Sequence, residues 1–225
     1  MGAGVRESRR KKRVFVVEDH PLVRERLTEL IQQERDLMVC GDADDHAPAL
    51  AAVAATKPDL VLVDLTLKNS HGLDLIKDLH AQYPALLMLV VSMHDESLYA
   101  ERAIHAGARG YVNKHQPSKD ILTAIRTVLG GKSFFSDQVF SRLAAKLVES
   151  PRRRSLLAME ALTDRELRVF ELLGQGHRTR QIAQALQLEI PTVETYRARI
   201  KEKLQLKDAH DLLQHAIRWA QSGGL

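Results

Sequence analysis

The chain has 225 residues, 44% hydrophobic and 28% charged, enough for one or two domains that each bury a core. No run of 18 apolar residues occurs, so no membrane span is expected, and the basic start from Met1 to Arg13 has no apolar stretch behind its charges, so no signal peptide is expected either. A single cysteine, Cys40, excludes an internal disulfide, fits a reducing cytosol and reads as a small core hydrophobe.

The net charge of +4 hides a division. Residues 1–13 carry six Lys/Arg against one Glu, residues 14–132 twelve against seventeen Asp/Glu, and residues 133–225 fifteen against eleven, or +5, −5 and +4. An acidic block followed by a basic one predicts two domains with different partners, a cation for the first and nucleic acid for the second.

In chain order, Arg13-Val14-Phe15-Val16-Val17 is an apolar run that ends in Glu18-Asp19. His20-Pro21 opens a helix with an apolar stripe of Leu22, Val23, Leu27, Leu30 and Ile31. A short strand over Leu37 to Ala43 precedes an Ala-rich helix from Pro48 to Thr56. Asp59-Leu60-Val61-Leu62-Val63-Asp64 is the run of a strand buried on both faces, tipped by a carboxylate. Gly72 precedes a helix with Leu73, Ile76 and Leu79 inward, and Pro84 closes it. Leu86 to Val91 is a strand ending at Ser92, Ser97 to Ala106 a helix, and Gly110 to Asn113 a strand ending at Lys114. Pro117-Ser118 opens a last helix that Gly130-Gly131 stops.

Five βα units in succession predict a parallel sheet with helices on both faces. The polar residues Glu18, Asp19, Asp64, Ser92 and Lys114 all fall at carboxyl ends of strands, which share one edge of such a sheet. Three carboxylates cannot crowd there ionised without a cation, and hard oxygen ligands in a small open site suit Mg²⁺. The cation offsets charge as a phosphoryl group moves onto a carboxylate, Lys114 can pair with phosphoryl oxygens and Ser92 can donate to them.

With these residues in place, the block resembles the receiver domain of bacterial response regulators. The resemblance implies a CheY-like doubly wound five-stranded parallel sheet, the fold for which that receiver is a standard example. It makes Glu18-Asp19 the acidic metal-binding pair, Asp64 the phosphoacceptor, Ser92 the switch hydroxyl, Tyr111 the switch aromatic and Lys114 the conserved lysine. Gly72 stands where that family has its loop glycine, and the backbone carbonyl of Thr66 becomes a third metal ligand. The sequence departs in having Glu-Asp for Asp-Asp, His115 after the lysine, and Lys68 where Pro is usual, which predicts a less constrained loop after Asp64. A dehalogenase-type phosphatase would need a second Asp at position 66, which is Thr, so an enzyme is not expected.

Lys132 to Ser150 has largely helical apolar spacing, interrupted by Pro151-Arg152-Arg153-Arg154-Ser155. The expected organisation is a disordered basic tail over 1–12, a receiver over 13–131, a linker helix and flexible joint over 132–157, and a second domain over 158–225. In that domain Thr163 and Glu166 form a capping box, Thr179 starts a short helix, Gln187 to Ile190 turns, Pro191 opens a helix to Leu204, and Asp208 caps a last helix with Leu212, Leu213, Ile217 and Trp219. Short helix, tight turn and longer helix make a helix-turn-helix, spanning Thr179 to Ala198, in an all-α four-helix domain. On the longer helix Val193, Ile200 and Leu204 share the core face, opposite Glu194, Thr195, Ala198, Arg199 and Glu202. Thr192, Arg197, Lys201 and Lys203 flank that outer face, so base-reading groups at the centre meet phosphate-binding groups at the edges.

Leu162-Thr163-x-Arg165-Glu166, Gln181-Ile182-Ala183 and Thr192 to Arg197 resemble the LuxR/GerE-type DNA-binding domain, and with the receiver in front the whole resembles a NarL/FixJ-family response regulator. Tyr196 replaces a common His, and Glu194 stands where Lys is frequent, which changes the base preferred because Glu accepts from cytosine N4. The resemblance implies a cytoplasmic two-component transcription regulator, phosphorylated on Asp64 by a sensor histidine kinase with Mg²⁺, binding promoter DNA as a homodimer with RNA polymerase as a further partner. Two alternatives are weighed against it: a constitutive DNA-binding protein whose receiver only dimerises, and a phosphotransfer intermediate without DNA.

Overall fold

The computed structural model describes residues 10–148 and 161–221. Most of the basic tail, and the arginine-rich joint at Pro151 to Ser155, lie outside the described residues. The chain divides into two compact units, one of residues up to Met93 and from Ala103 to Phe134, the other of His94–Arg102 and Phe135 onward.

The first unit contains a parallel five-stranded sheet, β1 (Lys12–Val17), β2 (Leu37–Ala43), β3 (Leu60–Val63), β4 (Leu87–Ser92) and β5 (Gly110–Asn113), in the order β2-β1-β3-β4-β5. The helices between them are α1 (Pro21–Gln32), α2 (His46–Thr56), α3 (Gly72–Gln82), α4 (Glu96–Ala106), whose first part falls in the second unit, and α5 (Ser118–Leu129). Alternate strand residues bury on opposite faces. Val14, Val16, Leu60, Leu62, Leu89 and Val91 pack with Leu27 and Ile31 of α1 and with Ile121, Ile125 and Val128 of α5. Their neighbours Phe15, Val17, Val61, Val63, Met88 and Val90 are equally buried on the other face. Each such side chain withdrawn from water is worth roughly 1.5–3 kcal/mol, which is why these strands read as unbroken apolar runs instead of alternating ones.

Four expectations change. Lys12, assigned by sequence to the tail, begins β1. Leu22, assigned to the buried stripe of α1, is 80% exposed, because it lies in the helix's first turn, ahead of the Val23, Leu27 and Ile31 positions that meet the core. Helix α2 begins at His46, two residues before Pro48, because the Asp45 carboxylate accepts from the His46 N–H and caps it. Phe134, expected in a helix, instead bridges to Gly110: its carbonyl accepts from Tyr111 N–H at 2.8 Å and its N–H donates to the Arg109 carbonyl at 2.9 Å. Cys40 is half-buried and has a free thiol.

The second unit holds α6 (Asp137–Val148), α7 (Asp164–Gly174), α8 (Thr179–Ala185), α9 (Ile190–Lys203) and α10 (Ala209–Gln221). The predicted capping box opens α7: Thr163 Oγ1 accepts from Glu166 N–H at 3.3 Å, and Glu166 Oε2 accepts from Thr163 N–H at 2.7 Å. Leu167, Phe170, Ile182, Val193, Ile200 and Leu212 form its core, with Phe170 and Trp219 in edge contact at 5.6 Å. Asp208 Oδ1 accepts from the N–H groups of His210 and Asp211 and caps α10 as predicted. Leu213, expected among that helix's apolar set, is 37% exposed and lies off its buried face.

Candidate functional site

The carboxyl edge of the sheet assembles the first candidate site. Ladder hydrogen bonds continue one residue past the strands and fix the positions there: Asp64 N–H donates to the Val17 carbonyl at 2.9 Å, Glu18 N–H to the Ala43 carbonyl at 3.0 Å, and Lys114 N–H to the Ser92 carbonyl at 2.8 Å. Backbone register therefore brings together Glu18, Asp64, Ser92 and Lys114, which are far apart in sequence. Lys114 Nζ lies 2.7 Å from Asp64 Oδ2 and 2.6 Å from Glu18 Oε2, and Asp64 Oδ1 accepts from Leu65 N–H at 2.7 Å. Asp64 and Glu18 are buried, and Ser92 is fully so at the last position of β4. Thr66 lies on the loop beyond Asp64, in an isolated antiparallel bridge with His71. Tyr111, read as the switch aromatic, is buried on β5, at 2% exposure.

One ammonium thus serves two buried carboxylates. Burial pushes the Glu18 carboxyl up, the Asp64 charge adds to this, and Lys114 offsets only part of it, so Glu18 sits above the ordinary glutamate range. Burial pulls Lys114 down, but Asp64 and Glu18 outweigh it and hold the ammonium above its usual value. Asp19 completes an excess of negative charge: its buried Oδ1 makes no hydrogen bond among the described residues. One ligand atom each from Glu18, Asp19, His20 and Asp64 lies within 4.8 Å of the others, a donor set that fits a divalent cation. His20 is the member that sequence reasoning passed over; its place directly after the acidic pair was the signal.

The Glu18 shift has a measurable sign. Folding favours the protonated acid, so its contribution to stability is present below the ordinary glutamate range and is lost as pH rises through the raised value. In metal-free protein, Glu18→Gln will leave the unfolding midpoint near that of wild type at about pH 4. It will raise the midpoint progressively as pH approaches neutrality, as calorimetry will show; a pH-independent difference would contradict this origin.

The loop after Asp64 is better held than the absence of Pro at position 68 implied. Lys68 N–H donates to the Asp44 carbonyl at 3.4 Å and its Nζ lies 3.3 Å from the Asp44 carboxylate. Asn69 and Ser70 donate to the two oxygens of Asp45 at 2.9 and 2.5 Å. Buried His71 caps α3, its Nδ1 accepting from Leu73 N–H at 3.2 Å. Gly72 N–H donates to the Leu65 carbonyl at 2.9 Å.

The second candidate site is α9. Val193 and Ile200 are buried as expected, while Glu194, Thr195, Ala198 and Arg199 are exposed and Thr192, Arg197 and Lys201 partly so. Glu194 Oε1 accepts from Thr179 Oγ1 at 2.8 Å and from Arg197 Nη1 at 3.1 Å, which ties the start of α8 to α9. Lys203 Nζ lies 2.6 Å from Glu166 Oε2, in the capping box of α7. Burial pushes Glu166 up, but Lys203 and the Thr163 hydrogen bonds outweigh it and hold the carboxyl below its usual range. Part of the Lys203 charge is therefore spent within the domain, a long-range pairing that one sequence does not reveal.

Residues 14–126 match the family described as the response regulator receiver domain, and residues 160–216 match the bacterial regulatory proteins of the luxR family. The chain belongs to the response regulators with a luxR-type output domain. It is 32% identical over 206 residues to response regulator GacA of Pseudomonas aeruginosa, covering 92% of this chain and 95% of the relative. It is 33% identical over 195 residues to the DNA-binding transcriptional activator DevR/DosR of Mycobacterium tuberculosis, covering 87% and 89%. A two-component response regulator of the LuxR family from Aurantimonas sp. SI85-9A1 superposes with a TM-score of 0.57 at 32% identity, over 62% of this chain and all of the other. RcsB of Salmonella enterica serovar Typhimurium, bound to promoter with a phosphomimetic, shares the fold with a TM-score of 0.67 at 21% identity, over 92% and 98%. This response regulator is a DNA-binding transcription regulator of a two-component system, not an enzyme. No helix among its described residues is long and apolar enough to cross a membrane.

Proposed function

We propose that Asp64 is the phosphoacceptor and that its phosphorylation by a sensor histidine kinase gates promoter binding by α9 in the cytoplasm. The observation that carries this reading is the Asp64 carboxylate, buried at the sheet edge, 2.7 Å from Lys114 and within reach of Glu18 and Asp19. An Asp64 oxygen forms a bond to phosphorus as the P–N bond of the kinase phosphohistidine breaks, and the leaving imidazole takes up a proton. Mg²⁺, held by Glu18, Asp19 and the Thr66 carbonyl, would neutralise the phosphoryl oxygens. Lys114 exchanges its carboxylate partner for a phosphoryl oxygen, and Ser92 donates to another. The aromatic ring of Tyr111, on the neighbouring strand, packs behind that change.

On the output side, Glu194, Thr195 and Arg199 face base edges, with Thr192, Arg197, Lys201 and Lys203 at the phosphates. Glu194 and Lys203 enter this surface already engaged, by Arg197 and Glu166, so DNA binding requires both pairs to be shared or exchanged. RcsB structures include two dimers bound to two parallel DNAs, and a homodimer on paired half-sites is proposed for this chain, with RNA polymerase as the next partner.

The test uses a duplex selected from a random pool by the full-length protein. With acetyl phosphate and Mg²⁺, wild-type affinity will rise at least about tenfold, on the order of the usual allosteric coupling of 1–3 kcal/mol. Asp64→Asn will stay at the unphosphorylated level. Equal binding by both proteins, with or without the donor, would leave only the constitutive reading.

A further inference from the structure

His20 occupies the cap position before α1, yet its side chain makes no capping hydrogen bond. It turns to the acidic pair instead: Nδ1 is hydrogen-bonded to Glu18 Oε1 at 3.2 Å and lies 2.7 Å from Asp19 Oδ1. Asp19 Oδ1 is buried and close to this nitrogen without forming a hydrogen bond, so the two atoms stand side by side and not on a donor–acceptor line. Neighbouring donors around one octahedral ion at about 2.1 Å stand about 3 Å apart. The two His20 separations bracket that distance, and the ring is 64% exposed, so Nδ1 can exchange its hydrogen bond to Glu18 for an ion without repacking a core.

We propose that His20 Nδ1 is an inner-sphere ligand of the divalent cation held at the phosphoacceptor site, which makes that site selective for transition ions over Mg²⁺. This rests on the reading of Glu18 and Asp19 as metal ligands. Oxygen-only sites suit Mg²⁺ and Mn²⁺, whereas an imidazole nitrogen adds most for Co²⁺ and Zn²⁺, less for Mn²⁺ and least for Mg²⁺. The Nδ1 position, beside both carboxylates, lets the ring join the ion without displacing either.

The experiment uses full-length protein and Mn²⁺ as the probe. Binding is counted from the loss of the free-ion electron paramagnetic resonance signal, and ligation is read from ¹⁴N modulation of the bound ion. Wild type will bind Mn²⁺ with imidazole ¹⁴N modulation, and His20→Gln will bind it with that modulation gone. Competition with Co²⁺ and Mg²⁺ will show the Co²⁺ preference falling roughly tenfold or more in His20→Gln, on the order seen when groups around a metal are removed. Mn²⁺ that binds wild type and is lost in Asp19→Asn, but never shows nitrogen modulation, overturns the role of His20 and leaves the carboxylate site standing. Identical modulation in wild type and His20→Gln overturns it as well. No Mn²⁺ binding at all sinks both this inference and the metal reading beneath it.

Discussion

Gly72→Ala will lower the unfolding midpoint of the receiver by roughly 10 °C and abolish phosphorylation from acetyl phosphate. The cause is space. A Cβ at position 72 would stand 2.0 Å from the Asp64 carbonyl oxygen and 2.9 Å from Leu65 Cα, both backbone atoms of the loop that carries the acceptor. No rotamer change relieves such a clash. Either α3 withdraws from the loop, breaking the Gly72 N–H bond to the Leu65 carbonyl, or Asp64 is pushed out of line with Lys114. Overpacking of this kind costs about 2–3 kcal/mol, and for a domain of this size each kcal/mol moves the midpoint by roughly 4 °C. Calorimetry of the full-length protein, read beside phosphoprotein gel mobility, tests it; a variant within about 2 °C of wild type that still accepts phosphate would show that the loop yields easily.

Lys114→Met is the second large effect. Methionine fills similar space but leaves Glu18 and Asp64, 1% and 4% exposed at their side chains, as two buried acids without a counterion. Breaking a buried pair from one side costs on the order of 3–5 kcal/mol. Here the sign with pH separates charge from packing. Without Lys114, Glu18 favours its protonated form still more, so the deficit is full at neutral pH and shrinks as pH falls through the carboxylate range. Wild-type and variant midpoints should converge between pH 7 and about pH 4.5 in metal-free buffer, and added Mg²⁺ should narrow the gap at pH 7. A gap that ignores both pH and metal would place the cost in packing alone.

Much of the first unit was legible because buried parallel strands must be apolar throughout, so each polar residue at a strand end stood out. Asp64, Glu18, Ser92 and Lys114 were readable on that ground, and the sheet register then brought them together. Capping chemistry made Thr163–Glu166 and Asp208 equally readable, since it needs only local spacing. What escaped was either long-range or one-sided. Lys203 and Glu166 are 37 residues apart, and nothing local marks them as a pair. Leu22 keeps the helical period of its stripe, but the period does not say where along α1 the sheet beneath it ends. Asp45 is one of several acids between β2 and α2 in the sequence, and its partners Asn69 and Ser70 belong to a different crossover.

Asp45 reaches forward to cap α2 and sideways to hold the stretch beyond the acceptor, so one carboxylate keeps two connections of the sheet in step. Alleles at position 45 would therefore group, in a genetic screen, with lesions of the phosphorylation pocket, although the residue itself never meets the phosphate.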